Sequence, residues 1–379
     1  MLIKNGRIFD AVHEEPYTAD ILVEDGKIKA IGTGFTDEDV FDAEGFNVYP
    51  GWVDAHSHLG LSGYGIGYEG HDYNEMSDIC TPQLRGIDSF NPLDPSVHKA
   101  VLAGVTTIAV GPGSANAIGG TWAAIKPVGV CADDMIVKDP VAMKGALGEN
   151  PKRVYRERGA SARMSTIAHM RNLLFRTRDY LARKEAANGD ITRMPAFDMK
   201  LEAMIPVIRK ELPLKIHAHQ ANDILGAIRV AKEFDVRMTI EHVTEGHLIA
   251  DKLAENKQYM LAVGPTFTDA SKFELRNKSW ETAGILADKG CHVCIITDHP
   301  FALEYSFPLY AGMAAKAGMK RFDALKAITI NAAEHLGIED RVGSIEPGKD
   351  ADINIYEGDP LETTGRLIAV SIDGKRVEE

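Results

Sequence analysis

The chain has 379 residues, of which 45% are hydrophobic and 26% charged, ordinary proportions for a globular protein that exclude a disordered or low-complexity chain. Its formal net charge of −13 argues against nucleic acid or an anionic membrane surface as a partner. No apolar run reaches the roughly eighteen residues that a membrane-spanning helix needs. Four cysteines and a polar N-terminal segment without a signal-peptide pattern predict a cytoplasmic protein, and a homo-oligomer remains open.

Both ends of the sequence contain short strand-like segments separated by turns. Near the N-terminus these segments are 2–3, 21–23 and 27–31, and near the C-terminus they are 351–356 and 368–372. Hairpin signals stand at 24–26 and 373–375. Because the two ends share this pattern, the sequence predicts one small β-sandwich domain formed by residues 1–48 and 343–379.

The central residues 49–342 alternate short apolar strands with amphipathic helical stretches, which indicates parallel β/α units. The predicted strands are 48–55, 106–110, 214–218, 238–240, 260–263 and 293–297, and the clearest helices are 164–184 and 198–211. This length and pattern predict an α/β fold with a (β/α)₈ TIM barrel. A doubly wound open sheet is the alternative, but no Gly-x-Gly-x-x-Gly sequence follows the first strand.

The most specific local signal is a pair of histidines, His56 and His58, at the end of the first predicted barrel strand. Residues two apart on a strand point to the same side, so both imidazoles can bind one metal ion, and zinc suits such ligands. An isolated pair of this kind is more often two hydrogen-bonded polar residues at a strand end. Further evidence is therefore needed.

Later predicted strands supply that evidence because they too end in metal-binding residue types. The residues are His217 and His219, then His242, and finally Asp298. Barrel enzymes keep their active sites at the carboxyl ends of the strands. The sequence therefore predicts a metal site at this end of the barrel.

These residues and several other motifs resemble the amidohydrolase superfamily of metal-dependent barrel hydrolases. The resemblance covers nearly the whole chain and rests on segments 50–58, 104–107, 331–334 and 343–352, together with the later His and Asp strand ends. Segments 112–116 and 148–153 are similar to stretches in imidazolonepropionase-related and prolidase-like members. The resemblance implies a divalent metal cofactor, most readily zinc, with one or two ions and with manganese or iron as alternatives.

Carried over to this sequence, the resemblance implies a ligand set of four histidines and one aspartate: His56, His58, His217, His242 and Asp298. His219 is the alternative to His217 as the ligand from this strand, since both side chains are expected to point into the barrel. Asp298 and His242 are also the implied catalytic residues. Asp298 would accept a proton from the attacking water, and His242 would polarise the carbonyl.

A bridging ligand is expected from the segment that contains both Lys144 and Glu149. Binuclear relatives use a carboxylated lysine and others use a glutamate. A lysine needs an apolar pocket that lowers its pKa before it reacts with carbon dioxide, whereas a glutamate is already a carboxylate. Glu149 is therefore the expected bridging ligand, and Lys144 is the alternative.

The implied function is hydrolysis of an amide-type C–N bond in a small molecule such as an N-acyl amino acid, a dipeptide or a cyclic amide. Deamination of a small heterocycle is the enzymatic alternative. Related deaminases place a glutamate three residues after the strand-five histidine, where this chain has Gln220 or, counted from His219, Asn222, and an amide cannot shuttle a proton. A non-catalytic scaffold with the same fold is the third interpretation.

Loop residues beyond the strand ends are the expected substrate contacts. This set contains Tyr68, His71, Gln220, His247 and His299. For His247 and His299 a structural role is an equal alternative. Asp54 is expected to orient a ligand imidazole from behind the metal site.

Overall fold

The fold was obtained as a computed structural model, which describes residues 1–64 and 67–377. The last two residues of the predicted C-terminal segment, 378 and 379, lie outside the described residues. Two sheets dominate the structure. One contains strands from both ends of the chain, and the other is formed by the central residues.

The strands in chain order are β1 (Leu2–Ile8), β2 (Tyr17–Glu24), β3 (Lys27–Gly32), β4 (Val40–Asp42), β5 (Asn47–Pro50), β6 (Trp52–Ser57), β7 (Val105–Val110), β8 (Ile118–Ile125), β9 (Ile136–Ala146), β10 (Leu214–Ala218), β11 (Met238–His242), β12 (Met260–Val263), β13 (Val293–Ile295), β14 (Ile353–Glu357), β15 (Arg366–Ile372) and β16 (Lys375–Arg376). The α-helices are α1 (Pro95–Val101), α2 (Ala132–Met135), α3 (Glu149–Val154), α4 (Arg163–Ala187), α5 (Met199–Ile208), α6 (Ala221–Phe234), α7 (Ala250–Ala254), α8 (Thr282–Asp288), α9 (Phe307–Lys316), α10 (Arg321–Ala327) and α11 (Ile330–Leu336). Short 3-10 helices span Tyr68–Gly70, Gly86–Ser89, Gly246–Ile249, Phe273–Leu275 and Glu304–Ser306.

The terminal sheet runs in the order β16-β15-β14-β5-β1-β2-β3, with β4 paired to β1. Strand β14, from the C-terminal part of the chain, pairs antiparallel with β5 from the N-terminal part. The sheet has its own apolar core, which includes Ile8, Ile21, Val48 and Ile353. This confirms a β-rich unit built from both ends of the sequence.

The central sheet runs β13-β12-β11-β10-β9-β8-β7-β6 and forms a nearly closed barrel. Its first and last strands meet through two backbone hydrogen bonds, from the Asp298 amide to the His56 carbonyl at 2.9 Å and from the His58 amide to the His299 carbonyl at 3.0 Å. The predicted barrel is therefore confirmed.

One strand of the barrel departs from the predicted parallel pattern. Strand β8 runs antiparallel to both β7 and β9, while the other neighbouring pairs are parallel. Only residues 111–117 connect β7 to β8, too few for the helical crossover that a parallel pair requires. Neither β8 nor β9 was predicted from the sequence.

The helices surround the barrel and include the two clearest predictions. Helix α4 spans Arg163–Ala187 and α5 spans Met199–Ile208. The Asp198 side chain accepts hydrogen bonds from the amides of Lys200 and Leu201, so it caps the N-terminus of α5. None of the helices in the described ranges combines the length and the apolar character needed to cross a bilayer.

A buried lysine joins the barrel to the terminal sheet. Lys126 follows β8, and its ammonium lies 2.8 Å from Asp350, 2.9 Å from Asp352 and in contact with Asp373, all three in the C-terminal part of the chain. Burial alone would lower the pKa of Lys126, but Asp352 and Asp350 raise it above its usual value. The lysine is therefore charged and compensates several carboxylates at once.

We predict that Lys126→Met destabilises the protein strongly, because it leaves the buried Asp352 carboxylate without its cation and takes one of three cations from Asp350. The expected loss in the free energy of unfolding is about 3–5 kcal/mol, measured by urea denaturation. Lys29→Met is the matched control, since Lys29 pairs with Glu24 at the exposed surface and its loss should leave the urea denaturation curve unchanged. Equal stabilities of the two variants would contradict the prediction.

Candidate active site

The histidines predicted from the strand ends converge at the carboxyl end of the barrel. The ligand atoms of His217, His219 and His242 lie within 4.8 Å of one another, and so do those of His56, His242 and Asp298. His242 belongs to both groups. The structure therefore brings together side chains that are up to 242 positions apart in the sequence, here His56 and Asp298.

Hydrogen bonds behind the imidazoles fix their orientation. His56 places its Nδ1 atom 2.9 Å from the Glu241 carboxylate. His58 donates from Nδ1 to the Gly111 carbonyl at 2.8 Å, and His242 does the same to the Gly264 carbonyl at 2.8 Å. In each ring the Nε2 atom is then left as a lone-pair donor toward the cluster, which is the tautomer that a metal ligand requires.

Electrostatics keep these rings neutral. Burial lowers the pKa of His56, His217, His219 and His242 well below the usual value, and nearby lysine charges lower it further. A metal ion binds neutral imidazole, so the cluster is prepared for a cation without first losing protons.

Unpartnered buried atoms provide a separate test of whether a metal fits. Both ring nitrogens of His217 and the Nε2 atom of His242 are buried without a hydrogen-bond partner. Leaving buried polar atoms unpaired costs free energy, so native proteins seldom do it without compensation. Imidazole and carboxylate donors are zinc ligands, and the donor set here fits a divalent ion.

Asp298 completes the cluster opposite the first histidine pair. Its Oδ1 atom lies 3.2 Å from His58 Nε2 and 3.7 Å from His56 Nε2. Burial raises the pKa of Asp298, but His242 and His58 more than offset this effect and the net shift is downward. Asp298 is therefore a carboxylate, which is the form needed to bind a cation or to accept a proton.

Lys144 lies directly against the histidines. It is fully buried on β9, and its Nζ atom is 3.3 Å from His56 Nε2. Its register partner Lys215 on β10 is equally buried but donates to Glu241 at 2.7 Å. Without such a carboxylate partner, burial lowers the pKa of Lys144 from 10.5 to about 7.

Glu149 lies elsewhere. It begins α3, and its carboxylate contacts the Glu274 amide at 3.4 Å, while its own amide donates to Glu274 Oε2 at 2.8 Å. No metal-ligand group found among the described residues includes Glu149. The geometry thus favours Lys144 over Glu149, the reverse of the order expected from the sequence.

Two buried glutamates at the site were not foreseen. Glu241 on β11 accepts hydrogen bonds from Lys215 and Thr239 at 2.7 Å and contacts His56 at 2.9 Å. Glu274, in the loop after β12, places Oε1 at 3.6 Å from His217 Nε2 and 3.7 Å from His219 Nε2, beside the Lys272 ammonium at 2.6 Å.

A sequence signal existed for Glu241 but not for Glu274. Glu241 shares inward strand parity with Thr239, so alternation alone would point it into the barrel and turn His242 away. His242 nevertheless reaches the cluster because its φ is 75°, an unusual value for a residue other than glycine. Glu274 stands in a loop without periodicity, so no comparable pattern identifies it.

The expected substrate contacts are dispersed around the barrel mouth. Tyr68 is 84% exposed, and the exposed His71 ring packs at 6.0 Å from Tyr73. Tyr73 itself stacks on His58, with ring centroids 5.1 Å apart, and so covers one side of the site.

The other three expected contacts bond to neighbouring structure. Gln220 precedes α6 and accepts a hydrogen bond from Arg163. His247 pairs with Thr282 at 2.9 Å, and His299 accepts from the Glu304 amide at 3.3 Å. Their substrate-binding roles remain predictions.

Asp54 orients the backbone rather than an imidazole. Its carboxylate accepts from the His56 amide at 2.9 Å and from the Thr297 amide at 3.1 Å. The ring of His56 is held instead by Glu241.

Comparison with known proteins agrees with this geometry. A family model described as the amidohydrolase family matches residues 47–377. A solved structure of an amidohydrolase from Thermotoga maritima MSB8 has a TM-score of 0.96 and 40% identity, covering 100% of this chain and 99% of that chain. A prolidase solved with N-methylphosphonate-L-proline has a TM-score of 0.61 at 16% identity, covering 100% and 99%, and shows the shared fold.

Named relatives are more distant in sequence. Amidohydrolase tasK of Hapsidospora irregularis is 30% identical over 390 residues, which cover 94% of this chain but only 40% of that protein. An imidazolonepropionase of Picrophilus torridus is 25% identical over 422 residues, covering 100% of this chain and 98% of the relative. The chain therefore belongs to the amidohydrolase family of metal-dependent hydrolases, as the resemblance in its sequence indicated.

Proposed function

We propose that the protein hydrolyses an amide-type C–N bond of a small molecule at a divalent-metal site. The observation that carries this proposal is the convergence of five predicted ligands with one buried lysine at the barrel mouth. The ligands are His56, His58, His217, His242 and Asp298, with His219 beside His217. Lys144 lies beside them, with its Nζ atom 3.3 Å from His56 Nε2, and this contact supports Lys144 as the bridging ligand.

Zinc is the proposed ion, with manganese or iron as alternatives, because three or more neutral imidazoles dominate the donor set. When bound, a divalent ion supplies Lewis acidity and a water whose pKa is lowered to about 7. Lys144, once carboxylated at its neutral amine, would offer two oxygens to hold a pair of ions.

Side chains of the protein supply proton transfer and carbonyl polarisation. Asp298 is the proposed base, because it is a carboxylate held against two histidines and can accept a proton and return it to the leaving nitrogen. His242 is the residue proposed to polarise the substrate carbonyl. Tyr73 over His58 and the loop bearing Lys272 shield the centre from bulk water.

Substrates with an acylated nitrogen are proposed, namely N-acyl amino acids, dipeptides or cyclic amides. Lys272 and Arg163 are the cations proposed to meet a substrate carboxylate, although each already pairs with a carboxylate of the protein, Glu274 and Asp223 respectively. The test is a screen of purified enzyme against these three classes, with the metal content measured on the same sample. A protein that contains no divalent ion and cleaves none of them would refute the proposal.

Hydrolytic deamination is the second candidate, and Glu274 is the observation that favours it. Gln220 cannot shuttle a proton, but the buried Glu274 carboxylate lies near both strand-five histidines. Measuring ammonia release from heterocyclic amines in the same screen separates the two functions. Ammonia without amide cleavage would favour deamination.

We predict that Asp298→Asn keeps most of the bound metal but lowers kcat by about 10²–10⁴-fold, because an amide cannot accept the proton. Metal content is measured by elemental analysis and turnover on the best substrate of the screen. Asp251→Asn, at an exposed ion pair with Lys289, is the matched control and should turn over normally. An Asp298→Asn enzyme with unchanged kcat would remove Asp298 from the mechanism.

We predict that Lys144 carries a carbamate when the metal is present. Protein reconstituted with zinc and ¹³C-bicarbonate should show one carbamate carbon signal by ¹³C NMR, and Lys144→Met should lose it together with part of the bound metal. Lys138→Met, which removes an exposed lysine of the same strand, is the control and should keep the signal. A signal that survives in Lys144→Met would disprove the assignment.

The buried amine also predicts a pH dependence of stability in metal-free, bicarbonate-free protein. Lys144 has a pKa of about 7 when folded against 10.5 ordinarily, so between these values the unfolded chain binds more protons and stability rises with pH. Relative to Lys144→Met, the free energy of unfolding should increase by about 2 kcal/mol from pH 7 to pH 9. Parallel pH curves for the two proteins would contradict this.

A further inference from the structure

The barrel wall closes between β6 and β13, the first and last strands of the sheet, and the predicted metal-site residues lie at their ends. Strand β13 spans only Val293–Ile295 and pairs along its length with β12, while β6 pairs with β7. Across the gap between β6 and β13, two backbone hydrogen bonds connect the segments of His56–His58 and Asp298–His299. Side-chain contacts add to these two hydrogen bonds.

A buried glutamate bridges this gap. Glu304 stands on the 3-10 turn before α9, and it is fully buried. Its Oε2 atom lies 2.9 Å from Ser57 Oγ and 2.9 Å from Thr297 Oγ1. Both hydroxyl oxygens lie within hydrogen-bond distance of this one carboxyl oxygen, so a single side chain contacts both edges.

The two bridged residues alternate with the predicted ligands. Ser57 lies between His56 and His58, and Thr297 immediately precedes Asp298. Neighbouring residues on an extended strand point to opposite sides, so Ser57 faces away from the ligand side of β6. Glu304 therefore holds the ligand-bearing segments from behind.

The same hydroxyls also fix the backbone around them. Ser57 Oγ accepts from the Leu59 amide at 3.1 Å, and Thr297 Oγ1 accepts from the His299 amide at 3.1 Å. Asp54 strengthens the junction, since it lies 2.5 Å from Thr297 Oγ1 and accepts the His56 amide. A carboxyl group buried this deeply is costly unless its hydrogen bonds compensate, which indicates a specific role.

We infer that Glu304 is a positioning residue of the metal site: through Ser57 and Thr297 it sets the separation between the His56–His58 pair and Asp298. This inference rests on the proposed function, because the separation matters only if these residues bind an ion together. The distances it maintains are those of Asp298 Oδ1 to His58 Nε2, 3.2 Å, and to His56 Nε2, 3.7 Å.

The protonation state of Glu304 suggests which substitution would preserve the bridge. Burial and the neighbouring Asp54 carboxylate raise the pKa of Glu304 well above its usual value, which favours the protonated acid. Glutamine has the same length and also combines a donor with an acceptor. Glu304→Gln should then preserve the bridge, whereas Glu304→Ala removes it.

The experiment compares wild type, Glu304→Ala, Glu304→Gln and Ser57→Ala, with Tyr305→Phe as the control on the same turn. Zn²⁺ affinity is measured by competition with a chromophoric chelator, and the ligand geometry is read from the visible absorption of Co²⁺-substituted protein. Circular dichroism and the unfolding midpoint show which variants fold. Neither metal readout depends on a known substrate.

The bridge predicts that Glu304→Ala weakens Zn²⁺ binding by about tenfold and alters the Co²⁺ spectrum, since residues that orient ligands typically change metal affinity by 10–100-fold. Glu304→Gln and Tyr305→Phe should stay within about threefold of wild type, with the wild-type spectrum. If Glu304→Ala does not fold, Ser57→Ala decides the question, because it removes one side of the bridge and should show a smaller loss in the same direction.

Two results would overturn the inference while leaving the proposed function intact. One is wild-type affinity and spectrum in folded Glu304→Ala, or in Ser57→Ala if the former does not fold. The other is an equal loss in Glu304→Gln and Glu304→Ala, which a general packing defect would give. A wild-type protein that binds neither Zn²⁺ nor Co²⁺ would instead overturn the proposed metal site itself.

Discussion

The site depends on one buried carboxylate at the centre of the barrel, that of Glu241. It compensates the Lys215 ammonium, holds the His56 ring and contacts His335 at 2.9 Å. Although burial raises the pKa of Glu241, Lys215 and His335 lower it far more, so the group stays ionised inside the protein. Since this one negative charge is already paired with Lys215, the neighbouring Lys144 has no ion pair in the described part of the chain, and burial lowers the pKa of its amine to about 7.

The chain places its ligands partly at the expense of backbone strain. His242 and Asp298 have φ values of 75° and 52°, in a region that residues with a Cβ atom rarely adopt. Such conformations cost of order 1–3 kcal/mol each and persist where surrounding contacts over-determine them. For His242 those contacts include the bond to Gly264, and for Asp298 the amide bond to the first strand. Ordinary strand geometry alone would not have brought these two groups together.

The sequence predicted the fold class and the ligand-bearing strand ends because both follow from simple geometry. Parallel strands end on the same side, and residues two apart share a face, so His56, His58 and Asp298 could be grouped without coordinates. The choice between Lys144 and Glu149 required knowledge of β9, which was not recognised as a strand, so the inward parity of Lys144 was hidden. Contacts made by irregular loops, such as those of Glu274 and Tyr73, have no periodic signal and could not be predicted this way.

The reversed strand β8 has a consequence for how this architecture can diversify. Because β7 continues directly into β8, no helix connects these two strands, and the segment after the first strand lies against β8, with Cys80 and Arg85 bridging to it. Lys126, at the end of β8 remote from the candidate site, attaches the barrel to the terminal sheet through its ion pair with Asp350. Homologous chains could therefore lengthen, shorten or exchange that covering segment and acquire different selectivities, while the strands that carry the imidazoles keep their register.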